Sequence, residues 1–209
     1  MGRRSSRALW TAKLAGKGLP SPASEPATRY GERFKGRILG IDPSLRGTGA
    51  ALVEVDSTGR FHLILSEVLK IAPKYSQAHC LGEIGRLVSR LLRTHEIDHV
   101  SVEETIYVQN FRTAQIMGMA RGAVLTMATV ENTPVFEYPP LRIKQSVSGF
   151  GRASKEQVAK QVAALLNLAE PLGFDQSDAA ATAICHALTW RGSPNQIGTT
   201  KKAAPKERP

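Results

Sequence analysis

Arg37-Ile-Leu-Gly-Ile-Asp42-Pro-Ser-Leu-Arg-Gly-Thr48 is the stretch on which the reading of this chain turns. Ile38, Leu39 and Ile41 form a short apolar run with β propensity, suited to the middle of a sheet. Asp42 closes the run, Pro43 and a Gly-containing turn follow, and Leu52, Val53 and Val55 resume the apolar character. The unit reads strand, tight turn, strand. A carboxylate at the end of an apolar strand must face a cation, a donor or water, because a lone buried charge is costly. Within this stretch two roles are open to Asp42: a turn cap through Asx hydrogen bonds, or part of a polar site. Gly40 leaves room for another element to approach the backbone.

The chain has 209 residues and a net charge of +10, enough length for one ordinary domain with tails. The charge is unevenly placed. Residues 1–36 hold eight basic and two acidic side chains, a net of +6, and residues 191–209 hold five and one, a net of +4. Between them, residues 37–190 carry 15 of each sign. The tails are rich in Ser, Pro, Gly and Ala, a composition expected to be disordered and suited to nonspecific contact with a polyanion. The expected organisation is a basic N-terminal extension (1–36), one domain of ordinary size (37–191) and a basic tail (192–209). No run reaches the ~18 apolar residues of a membrane span. Cys80 and Cys185 stand alone, with no CxxC or Cys/His cluster, and read as free thiols in a reducing compartment.

Outward from the first hairpin, Phe61–Ile71 reads as a third strand. Ser76–His95 reads as a helix, with Leu81, Ile84, Leu87, Val88, Leu91 and Leu92 at spacings of three and four. Ile97–Glu103 is a fourth strand, with Val100 and Val102 on one side and Ser101 and Glu103 on the other. Asn110–Val130 is a helix rich in Met and small residues, where Gly118 and Gly122 suggest close packing of another element. Thr133–Tyr138 is a fifth strand, and Pro140–Val147 a helical turn. Ser154 with Gln157 forms a capping-box pattern that opens a helix to about Asn167, and Asp175–Trp190 is the last helix. The order βββαβαβαα predicts an α/β fold with a five-stranded mixed sheet and helices on both faces.

Asp175 and Asp178, at i and i+3, share a face at a helix start. Acids are favoured there by the dipole and by capping alone. With Asp42 and Glu103 also ending strands, however, four carboxylates can meet in one site. Like charges at that range raise one another's pKa unless a cation neutralises them. All-oxygen ligation points to Mg²⁺ or Mn²⁺, and two such ions ~3.5–4 Å apart serve in-line phosphodiester displacement.

With these motifs in order, the chain resembles the RuvC family of crossover junction endodeoxyribonucleases, within the RNase H-like superfamily. The resemblance runs from Ile38 to His186 through ILGIDPSLRGTG (38–49), VSVEE (100–104), QIMGMARGAV (115–124), PVFEY (134–138), IKQSVSGFGRASKEQV (143–158) and DQSDAAATAICH (175–186). It implies that Asp42, Glu103, Asp175 and Asp178 are catalytic carboxylates that hold two Mg²⁺ ions, with Mn²⁺ as a substitute. It implies that Lys144 and Lys155 lie near the scissile phosphate, and that the loop at 149–154, with Arg152, helps hold junction strands. The family's wedging aromatic is matched by Ile106, with Tyr107 beside it, a departure that leaves open which of the two enters the junction. Glu104 stands where many members have Gln and reads as a neighbour of the site.

The resemblance further implies four-way junction DNA as substrate in recombination and repair, a homodimer with two active sites, and a branch-migration motor as an expected associate. The helix at 114–127 is the candidate dimer interface. A cytoplasmic, nucleoid-associated protein is expected. The Arg-rich, acid-poor first 20 residues read alternatively as an organellar transit peptide. A YqgF-like RNase H-fold protein, acting on RNA or without nuclease activity, is the alternative function, and the DxxD helix speaks against it. An actin/Hsp70-type ATPase shares the Gly-x-Asp strand but needs a far longer chain.

Overall fold

A computed structural model describes residues 33–104 and 110–192. Its strands are β1 (Gly36–Asp42), β2 (Gly47–Val55), β3 (Phe61–Lys70), β4 (His99–Glu103) and β5 (Val135–Tyr138). Its helices are α1 (Gln77–Thr94), α2 (Phe111–Val130), α3 (Pro140–Ser148), α4 (Lys155–Leu165) and α5 (Phe174–Thr189). The five strands form one mixed sheet in the order β3-β2-β1-β4-β5. β1 and β2, and β2 and β3, pair antiparallel, whereas β4 runs parallel to both β1 and β5. This is the predicted mixed sheet. The hairpin-linked strands pair antiparallel, and the helix-linked strands pair parallel.

Strand parity sorts the core into two layers. Leu39, Ile41, Leu52, Val100 and Val102 pack against Ile84, Val88 and Leu91 of α1 and Ala120, Val124 and Ala128 of α2. Ile38, Ala51 and Val53 face the other way, towards Ile143 and Val147 of α3, Val158 and Val162 of α4 and the alanine-rich α5. Gly40 is where α5 presses closest. A Cβ there would stand 2.1 Å from the Ala179 carbonyl oxygen and 2.9 Å from the Ala183 side chain, so only glycine fits.

Two expectations are corrected. The segment after the Pro-Pro pair is a nine-residue helix rather than a single turn. Pro140 occupies its first position, where a missing N–H costs nothing, and Gly149 ends it at φ 75°. On α2, no described element packs on Gly118 or Gly122, since a Cβ at either position meets nothing within 4 Å among the described residues.

At the end of the sheet away from Asp42, an aromatic group joins the entry to β1 with the end of α5. Phe34 meets Trp190 edge-on at 5.6 Å, and buried His186 bonds both His99 Nδ1 and the Tyr138 hydroxyl at 2.8 Å. Burial pushes the His186 imidazole down to about 3, helped by the facing His99, so the ring is a neutral core element at physiological pH.

Candidate active site

The carboxylates converge because of parity and register. In β1, Asp42 shares a face with Ile38 and Gly40, the α5 side. In β4, Val100 and Val102 enter the α1/α2 layer, while Ser101 donates to the Thr182 carbonyl of α5 at 2.9 Å. Glu103 therefore projects to the α5 side as well. Ile41 pairs with Val102, so Asp42 and Glu103 end neighbouring parallel strands side by side, with backbones ~4.8 Å apart.

Helix α5 brings the other pair. A Cβ on Gly49 would lie 2.1 Å from the Asp175 carbonyl oxygen, and Gly49 is the β2 partner of Asp42. The helix start thus rests on β2 directly beside Asp42. Asp175 Oδ2 lies 3.7 Å from the Cβ position of Gly47. Asp178, one turn on, accepts from Lys155 Nζ at 3.0 Å. Lys155 opens α4 behind the expected capping box, in which Gln157 N–H donates to Ser154 Oγ and Ser154 N–H to Gln157 Oε1. Lys144 of α3 acts on Glu103 through its charge.

The alternative role for Asp42, as a turn cap, is taken by another residue. Thr48 Oγ1 donates to the Ser44 carbonyl at 2.5 Å and accepts from the Ser44 N–H at 3.3 Å, closing the hairpin turn itself. Asp42 is left to the site. Burial, then the charges of Glu103 and Asp178, push its carboxyl up to about 7, with Lys155 opposing. Burial first and Asp178 second also raise Glu103, against Lys155 and Lys144. The Lys155 ammonium is raised, chiefly by its hydrogen bond to Asp178.

Among the described residues, no three His, Cys, Asp or Glu side chains are arranged to hold a metal ion as they stand. The donor set nonetheless fits one in kind. It is all carboxylate oxygen, burial and the charges of Glu103 and Asp178 together hold Asp42 well above the usual carboxylate range, and among the described residues Lys155 is the direct cation contact on it. Four carboxylates with a shared excess of negative charge suit a hard divalent cation, not a thiolate or imidazole metal.

Arg152 lies in the exposed loop between α3 and α4, and Glu104 donates its N–H to the Tyr138 carbonyl beyond the end of β4. Ile106 and Tyr107 lie outside the described residues. Two contacts escaped sequence reasoning. Gln176, between the two aspartates, reaches across to β3 and donates to Ser66 Oγ at 3.0 Å. Arg46 donates to the carbonyls of Ala72 at 2.7 Å and Tyr75 at 3.0 Å, tying the turn after Asp42 to the loop after β3. Neither has a local sequence signal, because the partners are 110 and 26–29 residues away.

Comparison with known proteins agrees with the geometry. Residues 38–186 match the family described as crossover junction endodeoxyribonuclease RuvC. The crossover junction endodeoxyribonuclease RuvC of Burkholderia vietnamiensis is 40% identical over 169 residues, covering 81% of this chain and 91% of that protein. That of Pelotomaculum thermopropionicum is 40% identical over 156 residues, covering 73% and 94%. Among solved structures, Thermus thermophilus RuvC in complex with Holliday junction substrate superposes with a TM-score of 0.68 at 34% identity, covering 73% of this chain and 93% of that one. The yeast mitochondrial Holliday junction resolvase Ydc2, at 10% identity and a TM-score of 0.52, shares the fold. On the match over 38–186 and these relatives, the chain belongs to the RuvC family of crossover junction endodeoxyribonucleases.

Proposed function

We propose that this protein resolves Holliday junctions by paired, Mg²⁺-dependent cleavage of phosphodiester bonds in DNA recombination and repair. The observation that carries the reading is the meeting of Asp42, Glu103, Asp175 and Asp178 on one face at one end of the sheet. Asp42, Glu103, Asp175 and Asp178 would hold the metal, two ions per site, with Mn²⁺ as a substitute. When bound, the metal supplies Lewis-acid activation of water and of the scissile phosphate.

Around that centre the chain's own residues divide the work. The carboxylates fix the site rigidly on strand ends and a helix start, which favours in-line geometry for attack on phosphorus. The new bond joins the water oxygen to phosphorus, the bond to the 3′ oxygen breaks, and that oxygen leaves with a proton. Lys155, held by Asp178, and Lys144, beside Glu103, offset charge developing on the phosphoryl oxygens. Arg152, Ile106 and Tyr107 are proposed to contact the junction strands.

A junction is two-fold symmetric, so paired cuts call for two active sites and hence a homodimer. The outer face of α2 suits that role. Phe111, Gln115, Gly118 and Met119 are exposed along one helical stripe, with Phe111 76% and Met119 39% accessible. A branch-migration motor and a cytoplasmic, nucleoid-associated location complete the proposal. The alternative of a YqgF-like protein is not favoured, because the DxxD helix is present and seated on the site.

The test is cleavage of a synthetic four-way junction beside linear duplex of the same sequence, with and without Mg²⁺. Symmetric nicks in the junction alone, only with metal, are expected. Equal cutting of duplex, or cutting in EDTA, overturns the reading.

A further inference from the structure

Beyond the carboxylates and the lysines at Lys144 and Lys155, the active-site end of the sheet carries a second group of cations. Lys70 ends β3 paired with Gly47, and Gly47 is the residue whose Cβ position lies 3.7 Å from Asp175 Oδ2. By parity Lys70 lies on the same side as Ser66, the α5 side. The loop that follows is held against the turn after Asp42 from both ends. The Ile71 N–H donates to the Arg46 carbonyl at 3.0 Å, and the Arg46 guanidinium grips the Ala72 and Tyr75 carbonyls. Tyr75, 41% exposed, stacks on His79 at 4.4 Å and 16°, and Lys74 Nζ stands 5.3 Å from the Tyr75 ring centroid.

The charges here are uncancelled. Arg37, Arg86, Arg90, Arg93, Arg121 and Lys155 each face a carboxylate. Among the described residues, none does so for Arg46, Lys70 or Lys74. The acids that flank the 70–75 segment in the chain are engaged elsewhere, Glu67 with Arg90 and Glu83 with Arg86 and His79. Carbonyl contacts fix the Arg46 guanidinium without neutralising it.

Strand order gives this group its meaning. Asp42 and Glu103 sit on the central pair β1 and β4, α3 with Lys144 follows β5 at one edge, and Lys70 ends β3 at the other. Two strand spacings separate β3 from β1, about 10 Å, the scale of a neighbouring nucleotide. We propose that Arg46, Lys70, Lys74 and Tyr75 form a second contact for the cleaved DNA strand, across the carboxylates from Lys144. Lys70, Lys74 and Arg46 take backbone phosphates next to the scissile one, and Tyr75 packs against the sugar or base between them. The inference rests on the nuclease reading and adds to it a specified track for the strand.

Because the loop is tethered to the turn after Asp42, phosphate binding there also sets the strand's register at the carboxylates. Contacts of this kind position DNA without reading its sequence.

The test uses the full chain carrying Glu103→Gln, which removes cleavage, and follows binding of a synthetic four-way junction against salt. Lys70→Ala with Lys74→Ala should weaken binding about tenfold and reduce the salt slope by about two, one per phosphate lost. Tyr75→Ala should weaken binding several-fold with the slope unchanged. All three side chains are exposed, so melting temperatures should stay at the parent value. Parent-like affinity and slope in the lysine double variant, with wild type cutting junctions normally, overturns this contact and leaves the nuclease reading intact. Failure of wild type to bind or cut the junction overturns both.

Discussion

Replacing Asp42 with asparagine should destroy cleavage and, at the same time, stabilise the metal-free fold above neutral pH. In the folded state the Asp42 carboxyl is pushed from 3.8 up to about 7 by burial and by Glu103, Asp178 and Asp175. An acid whose folded pKa is raised binds its proton more tightly when folded. Its penalty is absent below pH ~4, grows between pH ~4 and ~7, and is complete above that. Three units correspond to a ceiling of about 4 kcal/mol at 1.36 kcal/mol per unit. Asp42 is only partly buried and shares its field with three other acids, so solvent screening and coupled titration reduce this to about 1–3 kcal/mol.

For a domain of this size, 1 kcal/mol moves the melting temperature by roughly 2–4 °C. In EDTA at pH 8, Asp42→Asn should therefore melt several degrees above wild type. At pH 4.5 the unfolded carboxyl is already mostly ionised, so roughly a third to two-thirds of the gap should remain, and it should close only as pH falls below ~4. Adding Mg²⁺ or Mn²⁺ at pH 8 should raise wild type more than the variant. Scanning calorimetry of both proteins across pH 3.5–8 gives the difference, with the titration of acids outside the site cancelling. A gap independent of pH, or wild type gaining on the variant as pH rises, would refute the argument that these carboxylates share an unneutralised site.

Removing the basic tails, residues 1–32 and 193–209, should weaken junction and duplex binding together and flatten the salt dependence, because fewer counterions are released. The N-terminal cut must stop short of Phe34, which is 4% exposed and packed on Trp190; an unchanged salt slope contradicts the tails' role. In Gly118→Leu the new Cβ meets nothing within 4 Å among the described residues and the helix gains propensity, so the variant should keep the wild-type melting temperature. Light scattering should then show a monomer that nicks one strand at most, and a dimer of unchanged mass removes α2 as the interface. Gln176→Ala cuts the link from the DxxD turn to Ser66, about 1 kcal/mol of hydrogen bonding. The metal concentration for half-maximal cleavage should rise several-fold, whereas a purely structural link lowers the melting temperature and leaves that midpoint unmoved.

The parts of the site legible in the sequence are those fixed by strand parity. Val100 and Val102 against Ser101 and Glu103 can be sorted from alternation alone, and the structure sorts them the same way. Gly40 signals a close approach, which proves to be α5; the same helix also presses on Gly49, which carries no such signal in the sequence. What parity cannot give is which helix crosses which strand. The seating of Asp175 beside Asp42 follows from that crossing, and family resemblance, not periodicity, foretold it. The length of the helix from Pro140 to Ser148 is poorly marked in the sequence, because a Pro-Pro pair ends a strand as readily as it opens a helix. Gln176–Ser66 and Arg46 with its two carbonyls depend on contacts between distant segments that leave no local pattern. The open face at Gly118 and Gly122 shows a related limit: small residues mark close approach in general, without saying whether the partner is in the same chain.

The central claim is that four carboxylates form one catalytic centre for junction cleavage, and single neutral substitutions test it most directly. Asp42→Asn, Glu103→Gln, Asp175→Asn and Asp178→Asn should each be assayed on a synthetic four-way junction with Mg²⁺, for cutting and for binding in parallel. Loss of cutting by about 10²–10³-fold or more is expected in each, on the scale of losing one catalytic electrostatic group, with junction affinity close to wild type. Wild-type-like cutting by Asp42→Asn, Glu103→Gln or Asp175→Asn would contradict the account.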